Sequence, residues 1–190
     1  MVMKVDRSCA LIIVDMQNDF MPTGPLPVPD ADKIVPVLNK YIEMFVSNKL
    51  QIFATRDWHP PNHMSFKQRG GVWPMHCVKD TTGADFHSDL RIPRSATVIS
   101  HGTDADKETY SGFEAAEFAK KLEQNKIQCV LVCGVATDYC VKNTALDAIK
   151  LGLDVVLLAD AVKGIRNGND AIKEMQDNGV KVVRLVEIAA

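Results

Sequence analysis

Six short apolar runs, at residues 9–14, 51–55, 97–100, 128–133, 154–158 and 181–185, restrict this chain to few folds. Most are unbroken rather than alternating, which is the pattern of strands covered on both faces. Helical periodicity fills most of the intervals, over 31–48, 114–124, 141–151 and 170–178, with Ile34, Val37, Leu38, Tyr41, Ile42 and Phe45 on one stripe of the first. This alternation predicts an α/β chain of three layers, α/β/α, with a six-stranded, mostly parallel sheet in the order 3-2-1-4-5-6. A length of 190 residues suits one domain spanning 1–190.

In sheets of this kind ligands bind beyond the carboxyl ends of the strands, where the strand order reverses. The first strand is followed by Asp15, the second by Asp57 and His59, the third by His101, and the fourth by a turn leading to Cys140. The fifth is followed by Asp160 alone. In the assumed order the first and fourth strands are neighbours, so Asp15 and Cys140 face each other across the crevice. The segment VLVCGVATDYC is expected to leave its strand at Gly134 and to place Cys140 at a helix N-terminus, where unpaired N–H groups and the helix dipole favour a thiolate. On position alone Cys140 fits a nucleophile and a small buried apolar residue equally. Asp15 fits a loop-capping carboxylate or, with a thiol beside it, a proton acceptor.

The interval between the second and third strands has no clear helix and is rich in Pro, Gly and His, and a loop of that length in a compact domain is usually functional. Asp57 and His59 stand two apart, on one side of an extended segment, and His63 and His76 follow. A carboxylate with two imidazoles suits a divalent metal ion and leaves positions open for water or substrate. His87 has no ligand-like spacing and is taken as an ordinary loop histidine. Phe20 and Trp73 lie in loops at the same end of the sheet, where they pack their own loops or wall a slot for a flat ring. Ser111, with Glu114 three residues on, predicts a capping box for the second helix.

Other features exclude partners. The net charge is −2, from 22 basic and 24 acidic residues, with no basic run, so neither nucleic acid nor an anionic membrane surface is indicated. The partner expected is a small molecule. No apolar run is long enough to span a bilayer, and the five cysteines, an odd number without a CxxC pair, fit a reducing, cytoplasmic setting with at least one free thiol. Neither a dinucleotide nor a nucleoside triphosphate cradle is present, and no GxSxG elbow occurs.

The motifs VDMQNDF, TRDWHPPNH with GGVWPMHC, GTDADKETYSGFE, and CGVATDYCV with TALDAI, taken in this order, resemble the nicotinamidases of the isochorismatase-like cysteine hydrolase superfamily over nearly the whole chain. The resemblance implies an amidohydrolase that converts nicotinamide, or a related pyridine carboxamide, to the acid and ammonia through a cysteine thioester, in pyridine nucleotide salvage. It assigns Cys140 as nucleophile, Asp15 as proton acceptor, and Asp57, His59 and His76 as ligands of one divalent ion, zinc above others. His63 matches an additional ligand of some members. Phe20 and Trp73 match the residues that sandwich the pyridine ring, and Tyr110 and Val135 match pocket residues. The Val135–Ala136 peptide matches a cis position, with the N–H groups of Ala136 and Cys140 as the oxyanion hole. A homo-oligomer is compatible with the pattern.

One position departs from the family. Its catalytic trio is Asp, Lys and Cys, and His101 stands in the place of the lysine. A histidine has shorter reach and is cationic only if neighbouring carboxylates raise its pKa. The alternatives are an amidohydrolase acting on another amide, which would need neither the metal set nor Phe20 and Trp73, and an inactive metal-containing binding protein.

Overall fold

The computed structural model describes residues 3–166 and 168–189. Its main sheet has six strands: β1 (Cys9–Val14), β2 (Gln51–Asp57), β3 (Thr97–His101), β4 (Cys129–Val135), β5 (Asp154–Lys163) and β6 (Lys181–Val183). They lie in the order β3-β2-β1-β4-β5-β6, and every pairing is parallel. The expected order therefore holds, and the sheet is parallel throughout. A second, two-stranded pairing joins Met3–Lys4 to Ile188–Ala189. It was not anticipated, because strands of two residues carry no periodicity.

Every residue of β1 is buried, and the strand divides its side chains between two cores. Leu11 and Ile13 face the layer of helix α1 (Val35–Ser47), which presents Val35, Leu38, Tyr41, Ile42 and Phe45. Ala10, Ile12 and Val14 face the opposite layer, where α2 (Ala116–Gln124), α3 (Lys142–Lys150) and α4 (Gly168–Asp177) contribute Phe118, Leu122, Ala145, Ala148 and Met175. Two-residue periodicity in the strand thus builds a three-layer molecule. The α1 layer holds one helix against three, and loops complete it: Phe20, Val28, Cys77, Ala84 and Leu90 all pack into that core. Part of the long helix-free interval is therefore a cover for the sheet.

Several boundaries differ from expectation. The first helical stripe begins with a 3-10 turn at Ala31–Ile34 before α1 proper. Ser111 caps a 3-10 turn at Gly112–Glu114, its Oγ accepting from Phe113 N at 3.2 Å, while Glu114 pairs with Lys107 at 3.0 Å and α2 starts only at Ala116. That ion pair diverts the carboxylate that a capping box would have used. β5 runs on to Lys163, so Asp160 lies within it and accepts from Tyr41 Oη at 2.7 Å and Leu185 N at 3.0 Å.

β4 does not break at Gly134 but continues through it to Val135, with a register shift between Val132 and Gly134. Gly134 adopts φ 109°, and a Cβ there would stand 2.1 Å from the carbonyl oxygen of Val14 on β1. The absence of a side chain is what lets β4 approach β1 at the point where the functional loops diverge. Gly134→Ala adds both a clash and a disfavoured φ, and unfolding in urea is expected to show a loss of about 3 kcal/mol.

Candidate active site

Four adjacent strands deliver the site. Asp15 follows β1 directly, Asp57 ends β2, His101 ends β3, and β4 leads through Ala136 into a π-helical turn, Thr137–Val141, that carries Cys140 ahead of α3. Asp57 and His101 are register partners, so the pairing of β2 with β3 sets them side by side. Asp15, Asp57, His59, His76, His101 and Cys140 are all buried.

His101 joins two carboxylates. Its Nε2 lies 3.0 Å from Asp15 Oδ1, and its Nδ1 lies 3.2 Å from Asp57 Oδ1. Burial opposes a charge on this ring, but Asp15 and then Asp57 outweigh it and lift its pKa to about 9. His101 is therefore cationic at neutral pH, as a lysine would be. Asp15 Oδ1 also accepts the Thr55 hydroxyl at 2.6 Å, and Asp15 N donates to Thr55 O at 3.2 Å. Lys107, paired with Glu114, does not take part.

A second group forms on the other side of Asp57. One ligand atom from each of Asp57, His59 and His76 lies within 4.8 Å of the others. His59 Nδ1 is 2.9 Å from the carbonyl of Gly102, and His76 Nδ1 is 2.8 Å from that of Pro74. A carbonyl only accepts, so each Nδ1 carries its proton. In the neutral rings each Nε2 then turns a lone pair toward Asp57 Oδ2, at 3.4 Å and 3.7 Å. Gly102, at φ 63°, makes the His59 contact feasible, because a Cβ there would lie 2.4 Å from the His59 ring. Burial disfavours the Asp57 carboxylate, yet His101 and His59 hold its pKa well below the usual range. Burial likewise opposes the His59 charge, and Asp57 raises its pKa nonetheless.

His63 stands outside this group. Its Nε2 donates to Lys107 O at 3.1 Å, its Nδ1 accepts the Ser65 hydroxyl at 2.7 Å, and its ring packs on His59 with centroids 4.2 Å apart. Both nitrogens are occupied, and burial together with His59 lowers its pKa. Its ring thus packs on a member of the set while both of its nitrogens are engaged elsewhere. His87 accepts from Asp89 N at 3.2 Å, away from the cleft.

The thiolate expected from the helix terminus is corrected by the environment. Burial, then the Asp15 and Asp57 carboxylates, push the Cys140 thiol well above its ordinary pKa. The positive end of one helical turn does not offset two buried anions. Cys140 rests as a thiol next to a carboxylate.

Asp57, His59, His76 and Cys140 open into a cleft whose lining also includes Phe20, Trp73, Tyr110, Ala136 and Tyr139. Val135, buried in β4, is joined to Ala136 by a cis peptide bond. Phe20 packs against His76 with ring centroids 5.6 Å apart, and Trp73 stands edge-on to Tyr139 at 5.1 Å. Trp73 Nε1 donates to Tyr110 Oη at 2.9 Å, and Tyr110 donates in turn to the Glu108 carboxylate.

Three supporting residues escaped the sequence reading. Thr55 precedes Asp57 by two positions, and strand periodicity could have placed it on the same face. Tyr139 is the neighbour of Cys140 in a helical turn whose start was not anticipated. Gln17 gave no signal, yet its amide donates to Asp57 O at 2.7 Å and Ala84 O at 2.9 Å and accepts from Asp57 N at 2.9 Å.

With this geometry in view, comparison with known proteins is informative. Residues 9–187 match the family model described as "Isochorismatase domain". The chain belongs to the isochorismatase family. It is 37% identical to a nicotinamidase of Acinetobacter baylyi, over 94% of each chain. Among solved structures, a zinc complex of a pyrazinamidase of Pyrococcus horikoshii is 53% identical with a TM-score of 0.91, covering 94% of this chain and 99% of that one. A protein from L. infantum in complex with nicotinate is 35% identical with a TM-score of 0.92, covering all of both chains. No helix among the described residues is long and apolar enough to cross a membrane.

Gln17→Leu removes three hydrogen bonds to buried main chain without touching the ionisable groups. Chemical denaturation is expected to show a loss of roughly 2–4 kcal/mol, the cost of stranding Asp57 N–H and two carbonyls.

Proposed function

We propose that this chain hydrolyses nicotinamide, or a closely related pyridine carboxamide, to the corresponding acid and ammonia. It is a hydrolase acting on a carboxamide. The reading rests on one juxtaposition: a thiol beside a buried carboxylate shares a cleft with a one-carboxylate, two-imidazole ligand set. Relatives named for the same chemistry support it.

The donor set fits a divalent cation, because both imidazoles have their Nδ1 protons committed to carbonyls and a buried carboxylate supplies charge. Asp57, His59 and His76 would hold it, and zinc suits this mixture of nitrogen and oxygen donors. When bound, the ion supplies a Lewis-acidic anchor for a ring nitrogen or a water. Phe20 and Trp73 would flank the ring, with Tyr110 fixing the Trp73 indole through its hydroxyl, so that the carboxamide meets Cys140.

The reaction begins with transfer of the Cys140 proton to Asp15. The sulfur attacks the carboxamide carbon, and the oxygen that becomes anionic is received by the N–H groups of Ala136 and Cys140, each worth roughly 3 kcal/mol by comparison with other oxyanion holes. Asp15 returns the proton to the nitrogen, the carbon–nitrogen bond breaks, and ammonia departs, leaving a thioester on Cys140. Asp15 then accepts a proton from water as its oxygen attacks the thioester. The acid leaves, and the sulfur recovers the proton from Asp15. His101 keeps a positive charge between Asp15 and Asp57 throughout, which limits repulsion between two anions in a dry site.

Cys140→Ala is expected to abolish ammonia release from nicotinamide while the protein retains its metal content by elemental analysis. Turnover by that variant would remove the thioester route. If His101 serves through charge, His101→Lys is expected to keep activity within a few-fold, whereas His101→Gln loses about 100-fold in kcat/KM. Equal activity of the two variants would show that the charge is dispensable.

A further inference from the structure

The candidate nucleophile is not the cysteine whose thiol is most easily ionised. Cys77 and Cys133 are pushed up chiefly by burial, as Cys140 is. Cys9 alone is held below the ordinary thiol range, first because Cys129 donates its S–H to it, with burial opposing and the Asp6 main chain assisting. Cys129 is raised, first by the same contact with Cys9 and then by burial.

The placement of the two thiols is a matter of strand register. Cys9 opens β1, Cys129 opens β4, and the two are direct partners in the parallel pairing of the central strands. Both side chains belong to the same core, on the α1 side of the sheet. Neighbouring strands stand about 4.8 Å apart, and disulfides span Cα separations of roughly 4.4–6.8 Å. Adjacent, co-facial cysteines therefore have their Cα atoms within the range that a disulfide spans. All five cysteines are free thiols in this structure. The pair lies at the amino ends of the strands, opposite the cleft, and an exposed turn of Asp6 and Arg7 borders it, with Cys9 Sγ 4.0 Å from Asp6 Oδ1.

We propose that Cys9 and Cys129 form an oxidation site at which a hydroperoxide converts two thiols into a disulfide joining β1 to β4. The Cys9 sulfur attacks the terminal peroxide oxygen, the oxygen–oxygen bond breaks, and hydroxide leaves to take up a proton as water. Cys9 is then a sulfenic acid. The Cys129 sulfur attacks the Cys9 sulfur, the sulfur–oxygen bond breaks, and a second water carries away the Cys129 proton. For hydrogen peroxide the balance is two thiols and one peroxide giving one disulfide and two waters, with the peroxide reduced by two electrons. Cys9 starts the sequence from beside the exposed turn of Asp6 and Arg7, and Cys129 resolves it as its register partner.

The linked strands are the two middle ones, so the bond closes a loop containing β1, β2, β3, α1 and α2. A cross-link over a loop of that length restricts the unfolded chain and favours the folded state. The site is independent of the carboxamide chemistry, since none of its residues lines the cleft.

The test treats the reduced protein with a few equivalents of hydrogen peroxide and blocks remaining thiols under denaturing conditions. Proteolysis and non-reducing mass spectrometry then map the bonds. A Cys9–Cys129 linked peptide, two hydrogens lighter than its parts and split by dithiothreitol, is expected, together with a higher thermal midpoint. In Cys129→Ser the expected product is a Cys9 sulfenic acid that dimedone traps, and in Cys9→Ser the link is absent. Treated protein in which Cys9 and Cys129 both remain alkylatable overturns the proposal, whatever happens at Cys140. A bond from Cys9 to any other cysteine also overturns it.

Discussion

The contact on which the site depends is the bridge from Asp15 through His101 to Asp57. Two carboxylates at the ends of neighbouring strands would repel each other strongly where water is excluded, and each would tend to bind a proton. A cationic ring between them supplies the opposite charge, and with His59 it holds the Asp57 carboxyl well below its usual range. In the proposed reaction Asp15 accepts a proton and Asp57 holds the cation, and the ring between them keeps the two carboxylates from facing each other directly. The bridge is built from backbone: Asp57 and His101 are register partners, and Asp15 N and Oδ1 are both tied to Thr55, two residues before Asp57. A one-residue slip between β2 and β3 would turn one partner to the opposite face and leave buried charges unpaired.

That arrangement also accounts for the resting state of Cys140. A nucleophilic cysteine can be primed by a lowered pKa or by a base within reach, and these are alternatives. Two anions close to the sulfur exclude the first. In the proposed reaction they supply the second, because the carboxylate that raises the thiol pKa is also placed to accept its proton. A neutral thiol avoids burying a third negative charge, and in the proposed reaction the sulfur ionises only as the substrate carbon comes to share the charge.

The layer order was legible in the chain because the strands are buried on both faces and therefore unbroken in hydrophobicity, as in CALIIV of β1. The strand ends beside Asp15, Asp57 and His101, and the turn that leads to Cys140, could be located for the same reason. Features written in backbone geometry were hidden. Gly134 reads in a sequence as a strand breaker, and only the approach of Val14 shows why it lies within β4. His63 and His76 look equivalent as loop histidines. What separates them is the carbonyl of Pro74, which frees His76 Nε2, and the carbonyl of Lys107, which occupies His63 Nε2. Gln17 holds Asp57 by both of its main-chain groups, a role that a glutamine in a loop does not advertise.

In the proposed site, a histidine where the family resemblance places a lysine is therefore a milder exchange than side-chain length suggests. A lysine brings its charge on a flexible four-carbon stem and a single nitrogen. His101 brings two nitrogens at opposite edges of a rigid ring, one within 3.0 Å of Asp15 and the other within 3.2 Å of Asp57. Short reach suffices because β3 ends at the ring itself, and the two carboxylates fall on opposite sides of it. Their combined field outweighs the burial penalty that would otherwise discharge an imidazole. The same two anions that make a cation necessary are what allow histidine to be that cation.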